Sequence, residues 1–302
     1  MFLCKYLFMQ KTYFLIEESD KLKDQITSLQ RPSHLSYGAF HLEQESLIIW
    51  DNATYNKFFS LSPHSQVVIN NPMFAFILKR LGHKVVLINV NSNHVLARSA
   101  SGFKKWIIKQ IYNSCDTIMC LDKMQVEPLQ KFGVTAKLVV NPLLVDTELT
   151  NIAQNQVNTF DDFYLSSGFD AGANFDFSAV RSRTPIVCIT KSNPLPYNKY
   201  VYLLCKCKLV ILKRINNPAA SDLTGNTTVI EALAARKPVL INAQPWLAEL
   251  KEPNIHIYKD DIDLERMLIQ DNLNWKYTDN DYSIEKYLKK LKSILRLKVV
   301  KE

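Results

Sequence analysis

One stretch of the chain, residues 222–242, carries the pattern of a complete loop–helix–strand unit. Its first part is polar and contains Gly225, one of only seven glycines in the sequence. Residues 229–236 then place apolar side chains on one helical face and are rich in alanine, the best helix former. Pro238 ends that helix, and residues 239–241 form a short apolar strand. Loop, helix, turn and strand in this order are the repeating unit of an α/β sheet.

The same alternation runs along the rest of the chain. Predicted strands lie at residues 11–17, 47–50, 66–69, 84–88, 116–122, 137–140, 163–168, 185–191, 208–214, 239–241 and 254–258. Predicted helices lie at residues 19–30, 73–81, 103–114, 124–132, 173–181, 229–236, 262–269 and 283–297. Strands and helices that alternate at this spacing indicate parallel, doubly wound sheets with helices on both faces.

A polar segment, residues 151–162, is rich in Asn, Gln and Thr and separates two such series. The sequence therefore predicts two Rossmann-like domains, residues 1–150 and residues 151–282, that face each other across a cleft. Residues 283–302 are predicted to form a C-terminal helix with one apolar face. A length of 302 residues suits one large domain or two medium ones.

The chemistry of the 222–242 unit is expected at the start of its helix. Thr227 or Thr228 can cap the first turn, whose free N–H groups point towards whatever lies in front of the helix. Gly225 lets the backbone approach that object closely. Helix N-termini attract anions, phosphates above all, and Glu231 lies about one turn further on, within reach of a neutral hydroxyl beside a phosphate.

Residues 225–239, Gly-Asn-Thr-Thr-Val-Ile-Glu-Ala-Leu-Ala-Ala-Arg-Lys-Pro-Val, resemble the nucleotide-sugar loop of GT-B glycosyltransferases of the retaining, GT4-like kind. The resemblance implies that this loop and helix start hold the donor diphosphate and that Glu231 binds the ribose of the nucleotide. Many members carry a second carboxylate eight positions earlier, where this chain has Leu223 beside Asp222. Some branches replace that acid with a Gly-x-Thr-Thr loop, as here. An ordinary βαβ loop capped by a threonine is the alternative.

A second stretch, residues 115–146, also resembles the family, in which a strand, a helix ending in Gly and Asn-Pro-(x)3-Asp close the first domain. Any βαβ unit would explain this second pattern equally well. The resemblance further implies that the C-terminal helix crosses back towards the first domain. The lysines and arginine on that helix are interpreted as a solvated face.

The function that the resemblance implies is transfer of a sugar from a nucleotide-sugar donor to a glycan, lipid-linked or protein acceptor, with retention and without a metal. Ligands of open α/β sheets bind outside the carboxyl ends of the strands, which selects most of the candidate residues. The expected catalytic residues are Lys191, as a cation for the leaving diphosphate, and His94, near the sugar. The expected donor-binding residues are Ser167, Gly168, Lys191, Lys213, Arg214, Gly225, Asn226, Thr227, Thr228 and Glu231. A surface ion pair is the alternative role for each of these cations, and a simple surface or core position is the alternative for His94.

No metal site and no cofactor are predicted, apart from the nucleotide-diphosphate sugar as co-substrate. No two of the six histidines have the spacing of metal ligands. Cations and helix dipoles can stabilise a leaving diphosphate without a metal ion.

The net charge of +8 and the pI of about 9.0 suit phosphorylated ligands, anionic membrane surfaces or nucleic acid. No aromatic-basic nucleic-acid motif is present, so nucleic acid is not expected as a partner. The six cysteines lie mostly in apolar runs, which indicates buried thiols, a reducing compartment and a cytoplasmic location. No transmembrane segment is predicted, and peripheral contact with an anionic inner membrane face is a further expectation. Residues 1–9 suit an edge strand, a membrane-touching tail or a start-site extension.

Two other functions fit the same pattern. A GT-B-like protein that binds nucleotide or glycan without turnover would explain Leu223 and the lack of a Gly-rich loop after the first strand. A nucleotide-sugar epimerase on the same architecture would need a pair of catalytic acids, and the sequence does not place one.

Overall fold

The computed structural model of the 302-residue chain describes residues 11–17, 47–50, 54–89, 101–120, 125–140, 155, 161–167, 177, 180–189, 195–213, 227–243, 247, 252–270 and 284–295. Two parallel β-sheets lie within these residues, one in each half of the chain. The prediction of an α/β fold with two doubly wound parallel sheets is confirmed.

The first sheet has six strands in the order β2-β1-β3-β4-β5-β6. Their bounds are β1 Thr12–Glu17, β2 Leu47–Trp50, β3 Gln66–Ile69, β4 Lys84–Asn89, β5 Thr117–Cys120 and β6 Lys137–Val140. Each pair of neighbours runs in parallel. The central strands are almost continuous apolar runs because helices cover both faces of a parallel sheet. The order reverses between β1 and β3.

The helices of this half are α1 Thr54–Phe58, a 3-10 turn Pro72–Phe74, α2 Ala75–Arg80, α3 Gly102–Asn113 and α4 Val126–Phe132. One face of the sheet packs on α1, α2, α3 and α4 through a core that includes Phe58, Leu78, Tyr112 and Leu129. The chain leaves α4 through Gly133, which has a φ of 83°. This left-handed conformation favours glycine and closes the helix where the sequence predicted.

The second sheet has five strands in the order β11-β10-β9-β7-β8. Their bounds are β7 Tyr164–Ser167, β8 Ile186–Ile189, β9 Leu209–Leu212, β10 Val239–Asn242 and β11 Ile255–Tyr258. The neighbours again pair in parallel. The order reverses between β7 and β9, which pair from Tyr164 opposite Leu209.

The helices of the second half are α5 Tyr197–Lys206, α6 Thr227–Ala234, α7 Asp261–Gln270 and α8 Ile284–Leu295. Helices α5 and α6 share one face of the second sheet, where Leu204 and Val229 pack against Leu165 and Val210. Helix α7 covers the other face, where Leu264 packs among Tyr164 and the residues around it. The result is the three-layer arrangement that the alternating pattern predicted.

Two predicted helices differ from the structure, and a third is not tested by it. The segment predicted as one helix at 73–81 divides into the 3-10 turn and α2, with Asn71 accepting a hydrogen bond from the Met73 N–H. Pro72 explains the change, because it fixes φ and suits the first position of such a turn. Of the predicted helix 173–181, the described residues Phe177, Val180 and Arg181 are not helical. The predicted helix 19–30 lies outside the described residues.

Helix α8 contacts the first sheet. The side-chain amide of Gln66 in β3 donates a hydrogen bond to the main-chain carbonyl of Leu295, at 3.2 Å, and another to the Thr12 hydroxyl, at 3.3 Å. Gln66 and Leu295 are both buried. The proposed domain boundaries themselves stay a prediction, although this contact is of the kind that a returning C-terminal helix would make.

Five cysteines fall within the described residues, and all five are free thiols. Burial raises the pKa of Cys115 and that of Cys207 to about 12, which makes both thiols weak nucleophiles at neutral pH. These thiols are therefore core residues, and nothing in their surroundings suggests chemistry. Among the described residues, no helix is both long and apolar enough to cross a membrane.

Candidate functional site

The candidate site lies at the reversal point of the second sheet. Helix α6 follows β9 and precedes β10, so it begins at the carboxyl edge of the parallel strands. Ser167 ends β7, the strand on the other side of the reversal. Ligands of open α/β sheets bind in the crevice that forms at such a point.

Helix α6 forms where the sequence predicted, with its start two residues earlier and its end two residues earlier. Val229, Ile230 and Ala232 are buried against the sheet. After the helix, Arg236 adopts a φ of 55°, and the Lys237 N–H donates to the Ala232 carbonyl. Pro238 then leads into β10, since proline cannot continue the helical hydrogen bonds.

Glu231 is the most deeply buried acidic side chain of this region, with 1% of its surface exposed. The Tyr197 hydroxyl donates to its Oε1 at 3.1 Å, and the Tyr200 hydroxyl donates to its Oε2 at 2.9 Å. A buried carboxylate is costly unless hydrogen bonds satisfy it. The two tyrosines supply such bonds and fix the orientation of the carboxylate about one turn from the start of α6.

The tyrosines belong to α5, which the sequence analysis did not predict. Their rings lie 6.0 Å apart with a tilt of 34°. The signal for this helix is present in the sequence: buried residues recur with helical spacing, namely Tyr197, Tyr200, Val201, Leu204 and Cys205. Recognising this period would have predicted the helix, but it would not have predicted the contact with Glu231.

Ser167 lies on the same side of the second sheet as α6. Side chains alternate between the faces of a strand, and Leu165 packs in the core beneath α5 and α6. Ser167 therefore faces that side too, and it is 3% exposed. Thr228, in the first turn of α6, is also buried. The structure thus brings Ser167, Thr228 and Glu231 to one face of the second sheet, near its carboxyl edge.

Lys213 lies on the opposite face. It follows β9, and its Nζ contacts both carboxylate oxygens of Asp261 in α7 at 2.7 Å. About a quarter of the Lys213 side chain is exposed, so this ion pair is partly screened by solvent. A role for Lys213 at the diphosphate stays a prediction. In that role the diphosphate would compete with the Asp261 carboxylate for the Lys213 ammonium group.

The remaining predicted site residues lie outside the described residues, and their roles stay predictions. They are His94, Gly168, Lys191, Arg214, Gly225 and Asn226. Thr227 begins α6, but its side chain is not among those described.

Within the described part of the chain, no group of three or more His, Cys, Asp or Glu side chains is placed to hold a metal ion. Asp261 and Asp263 have the Asp-x-Asp spacing of some metal sites, which the sequence analysis overlooked. Asp261 pairs with Lys213, and Asp263 accepts the Lys259 N–H and contacts Arg266. These contacts are those of a helix start rather than of a metal site. Metal independence stays a prediction.

The sequence matches no known protein-family model and no curated protein. Solved structures do match. HepE from Anabaena in complex with UDP superposes with a TM-score of 0.64 at 10% identity, over 95% of this chain and 100% of HepE. HepE in complex with UDP-glucose superposes with a TM-score of 0.63 at 9% identity, over 94% of this chain and 99% of HepE. The lipopolysaccharide outer core galactosyltransferase WaaB superposes with a TM-score of 0.54 at 10% identity, over 95% of this chain and 99% of WaaB.

The fold is GT-B. This likeness covers nearly the whole of both chains, and the two parallel sheets of the present chain agree with it. At such low identity the comparison establishes the architecture alone. The fold expectation drawn from residues 225–239 is therefore confirmed.

Proposed function

We propose that the chain is a glycosyltransferase that takes a sugar from a nucleotide-diphosphate-sugar donor held on the second sheet. The acceptor is a glycan, a lipid-linked molecule or a protein, transfer proceeds with retention, and no metal ion takes part. The observation that carries the proposal is the buried Glu231 carboxylate, oriented by two tyrosine hydroxyls beside the start of α6.

The geometry suits a nucleotide whose ribose and diphosphate lie side by side. A helix start offers N–H groups and a partial positive charge to phosphate oxygens. An ionised carboxylate only accepts hydrogen bonds, and its charge strengthens each bond that it accepts. Glu231 therefore suits the role of acceptor for the ribose hydroxyls. HepE, which has the same architecture, has been crystallised with UDP and with UDP-glucose, in support of this assignment.

The chemical step needs charge stabilisation on the leaving diphosphate. Lys191 supplies that charge together with the dipole of α6, and Lys213 or Arg214 is the second choice for this role. In this assignment His94 lies against the sugar, on the side of the first domain. Ser167 and Gly168 line the donor at the end of β7, and the Gly225–Thr228 segment holds the phosphates.

A second candidate is a protein of the same fold that binds the nucleotide without turnover. Leu223 favours it, because many enzymes that the 225–239 segment resembles carry a carboxylate there. The release of nucleotide from a panel of nucleotide-sugars separates the two: release by the intact chain supports the enzyme, and binding without release supports the second candidate.

Replacement of Glu231 tests the site. Glu231→Gln keeps the shape of the side chain and removes its charge. A charged hydrogen bond is worth roughly 1.5–3 kcal/mol, so calorimetry should give a nucleotide affinity about 10- to 100-fold weaker than that of the parent. UDP and GDP are the first ligands to compare.

The matched control is Glu127→Gln, on the exposed surface of α4, where Glu127 pairs with Lys131. This variant should bind nucleotide as the parent does. Circular dichroism and thermal melting establish that each variant is folded. Parent-like affinity in folded Glu231→Gln would show that the ribose assignment is wrong.

A further inference from the structure

Helix α3 presents apolar side chains to solvent. Phe103 is 74% exposed and Trp106 is 56% exposed, while Ile107 is also exposed. Their side chains occupy one face of the helix, because residues three and four apart are neighbours on a helical surface. The inward face is marked by Tyr112, which is buried in the core of the first sheet. One face of the helix therefore packs into the core, and a separate apolar strip faces the solvent.

The two aromatic rings form a preformed platform. The centroids of Phe103 and Trp106 lie 5.6 Å apart, with an angle of 15° between the ring planes. Stacked aromatic pairs lose little conformational entropy on further contact, since each ring already restrains the other.

The elements packed against α3 also expose apolar side chains. The 3-10 turn and α2 both pack against α3. Met73 in the turn and Phe76 in α2 are exposed as well. The guanidinium of Arg80 lies 4.6 Å from the centroid of the Phe76 ring. We call this set, Met73, Phe76, Arg80, Lys104, Phe103, Trp106, Ile107 and Lys109, the aromatic-basic face.

The charge around the aromatic-basic face has one sign. Residues 72–80 and 102–113 contain five lysines and arginines and no aspartate or glutamate. At about 100° per residue, Lys104 and Lys109 lie about 60° to either side of the exposed apolar strip of α3. Gln110, a neutral residue, shares the middle of the strip and is exposed.

Acidic groups on the adjoining elements are already engaged. Asp116, which follows α3, contacts Lys79 and accepts the Val85 N–H. Glu127 in α4 pairs with Lys131. The cations that flank the strip are therefore not neutralised by an acid on the same helix, and the face as a whole is positive.

We propose that the aromatic-basic face docks the protein peripherally on an anionic bilayer. The rings of Phe103 and Trp106 lie at the level of the lipid headgroups, with Ile107 beneath them. Lys104 and Arg80, both exposed, contact the lipid phosphates. Exposed aromatic rings flanked by lysines are the composition of helices that lie in a membrane interface. The positive charge selects an anionic surface. This inference concerns the first sheet and does not depend on the donor site.

Vesicle co-sedimentation of the full chain tests the proposal. The parent should bind vesicles of equimolar phosphatidylcholine and phosphatidylglycerol and should bind phosphatidylcholine vesicles far less. Phe103→Ser combined with Trp106→Ser should weaken binding to the anionic vesicles at least about tenfold, because two interfacial rings are lost. Added salt should weaken the parent's binding too, because the lysine contacts are screened.

The matched control is Tyr202→Ser, which removes an exposed aromatic ring from α5 on the second sheet. It should bind vesicles as the parent does. Nucleotide binding and thermal melting should be unchanged in the double variant, since the replaced rings are exposed. Equal vesicle binding by parent and double variant would overturn the proposal. So would a parent that ignores anionic vesicles but forms an oligomer that the double variant disrupts, since the face would then be a protein interface.

Discussion

Helices α3 and α6 each connect two neighbouring strands of a parallel sheet, yet their side chains are arranged in opposite ways. Each follows one strand and precedes its neighbour, so each begins at the carboxyl edge of a parallel sheet. Helix α6 buries even a carboxylate, Glu231, to which two tyrosine hydroxyls of α5 donate hydrogen bonds. Helix α3 exposes Phe103 and Trp106 among lysines.

Under the two proposals made above, the same architecture carries two separate tasks. The backbone places a helix start at the same edge of both sheets, and the side chains decide what that start can bind. Enclosed polar atoms select a small ligand with hydroxyls and phosphates, because a wrong ligand would leave them unsatisfied. An outward apolar strip selects a large, flat partner, because only such a partner covers it.

The largest effect is expected in the chemical step, at the edge of the second sheet. Lys191→Ala should lower the turnover rate about 100-fold or more and weaken donor binding much less, because charge on the diphosphate grows towards the transition state. Steady-state release of nucleotide from a sugar donor measures both constants. A change confined to KM would contradict the role given to Lys191.

Lys104→Ala on α3 is the control for this variant, and its turnover of a soluble acceptor should equal that of the parent. Chelation completes the experiment. Activity should survive EDTA, since cations and the α6 dipole hold the phosphates. Activity that disappears with EDTA and returns with manganese would mean that a metal ion holds them instead.

A smaller effect is expected from the tyrosines that orient Glu231. Tyr197→Phe and Tyr200→Phe each remove a hydroxyl and keep the ring. A hydrogen bond contributes about 1 kcal/mol, so each variant should bind nucleotide about fivefold more weakly. Isothermal calorimetry measures the change, and Tyr202→Phe on the exposed side of α5 is the control. Unchanged affinity in both single variants and in the double variant would exclude an orienting role.

The smallest effect concerns His83 at the amino edge of the first sheet, where no chemistry is proposed. His83 is 4% exposed, and its Nδ1 lies 2.9 Å from the Ser65 hydroxyl. Burial lowers its pKa below 6.5, against the opposing effect of a hydrogen bond with the Phe58 backbone, and His64 lowers it further. The folded protein therefore binds fewer protons than the unfolded chain near this pH.

The stability that neutral His83 provides is complete above pH 6.5 and is lost as the pH falls through the lower, folded pKa. Urea unfolding at a series of pH values should show this loss as a fall in the free energy of unfolding. His83→Gln should reduce the slope of that free energy against pH. Burial lowers the pKa of His256 as well, so the single variant removes only part of the dependence. Turnover by folded His83→Gln should match that of the parent. A parent-like pH slope in this variant would show that the pKa of His83 does not differ between the folded and unfolded states.

The sequence predicted α6 well because every local signal agreed there. Alanine-rich helix formers, a threonine start and Pro238 after the helix all favour the same bounds. Helix α5 was missed because its residues, Tyr-Asn-Lys-Tyr-Val-Tyr, include aromatic and β-branched types that favour strands when taken one at a time. Only their spacing and the packing beneath them make them helical.

The contacts of the candidate site could not be predicted in the same way. The bonds between Glu231 and the tyrosines join residues 34 and 31 positions apart. They depend on α5 and α6 sharing one face of the sheet, and that follows from the strand order. Nothing local in residues 164–167 or 209–212 indicates that β7 and β9 are neighbours.

The bond from Gln66 to Leu295 has a consequence for how the protein is made. The two residues are separated by 229 positions. At about 5–20 residues per second, a ribosome needs roughly 10–50 seconds to add the second partner after the first. Throughout that interval, strand β3 has been synthesised but helix α8, which contains the Leu295 carbonyl that Gln66 contacts, has not. A nascent first half is then a natural client for a chaperone, and a pause in translation before residue 284 would prolong its exposure.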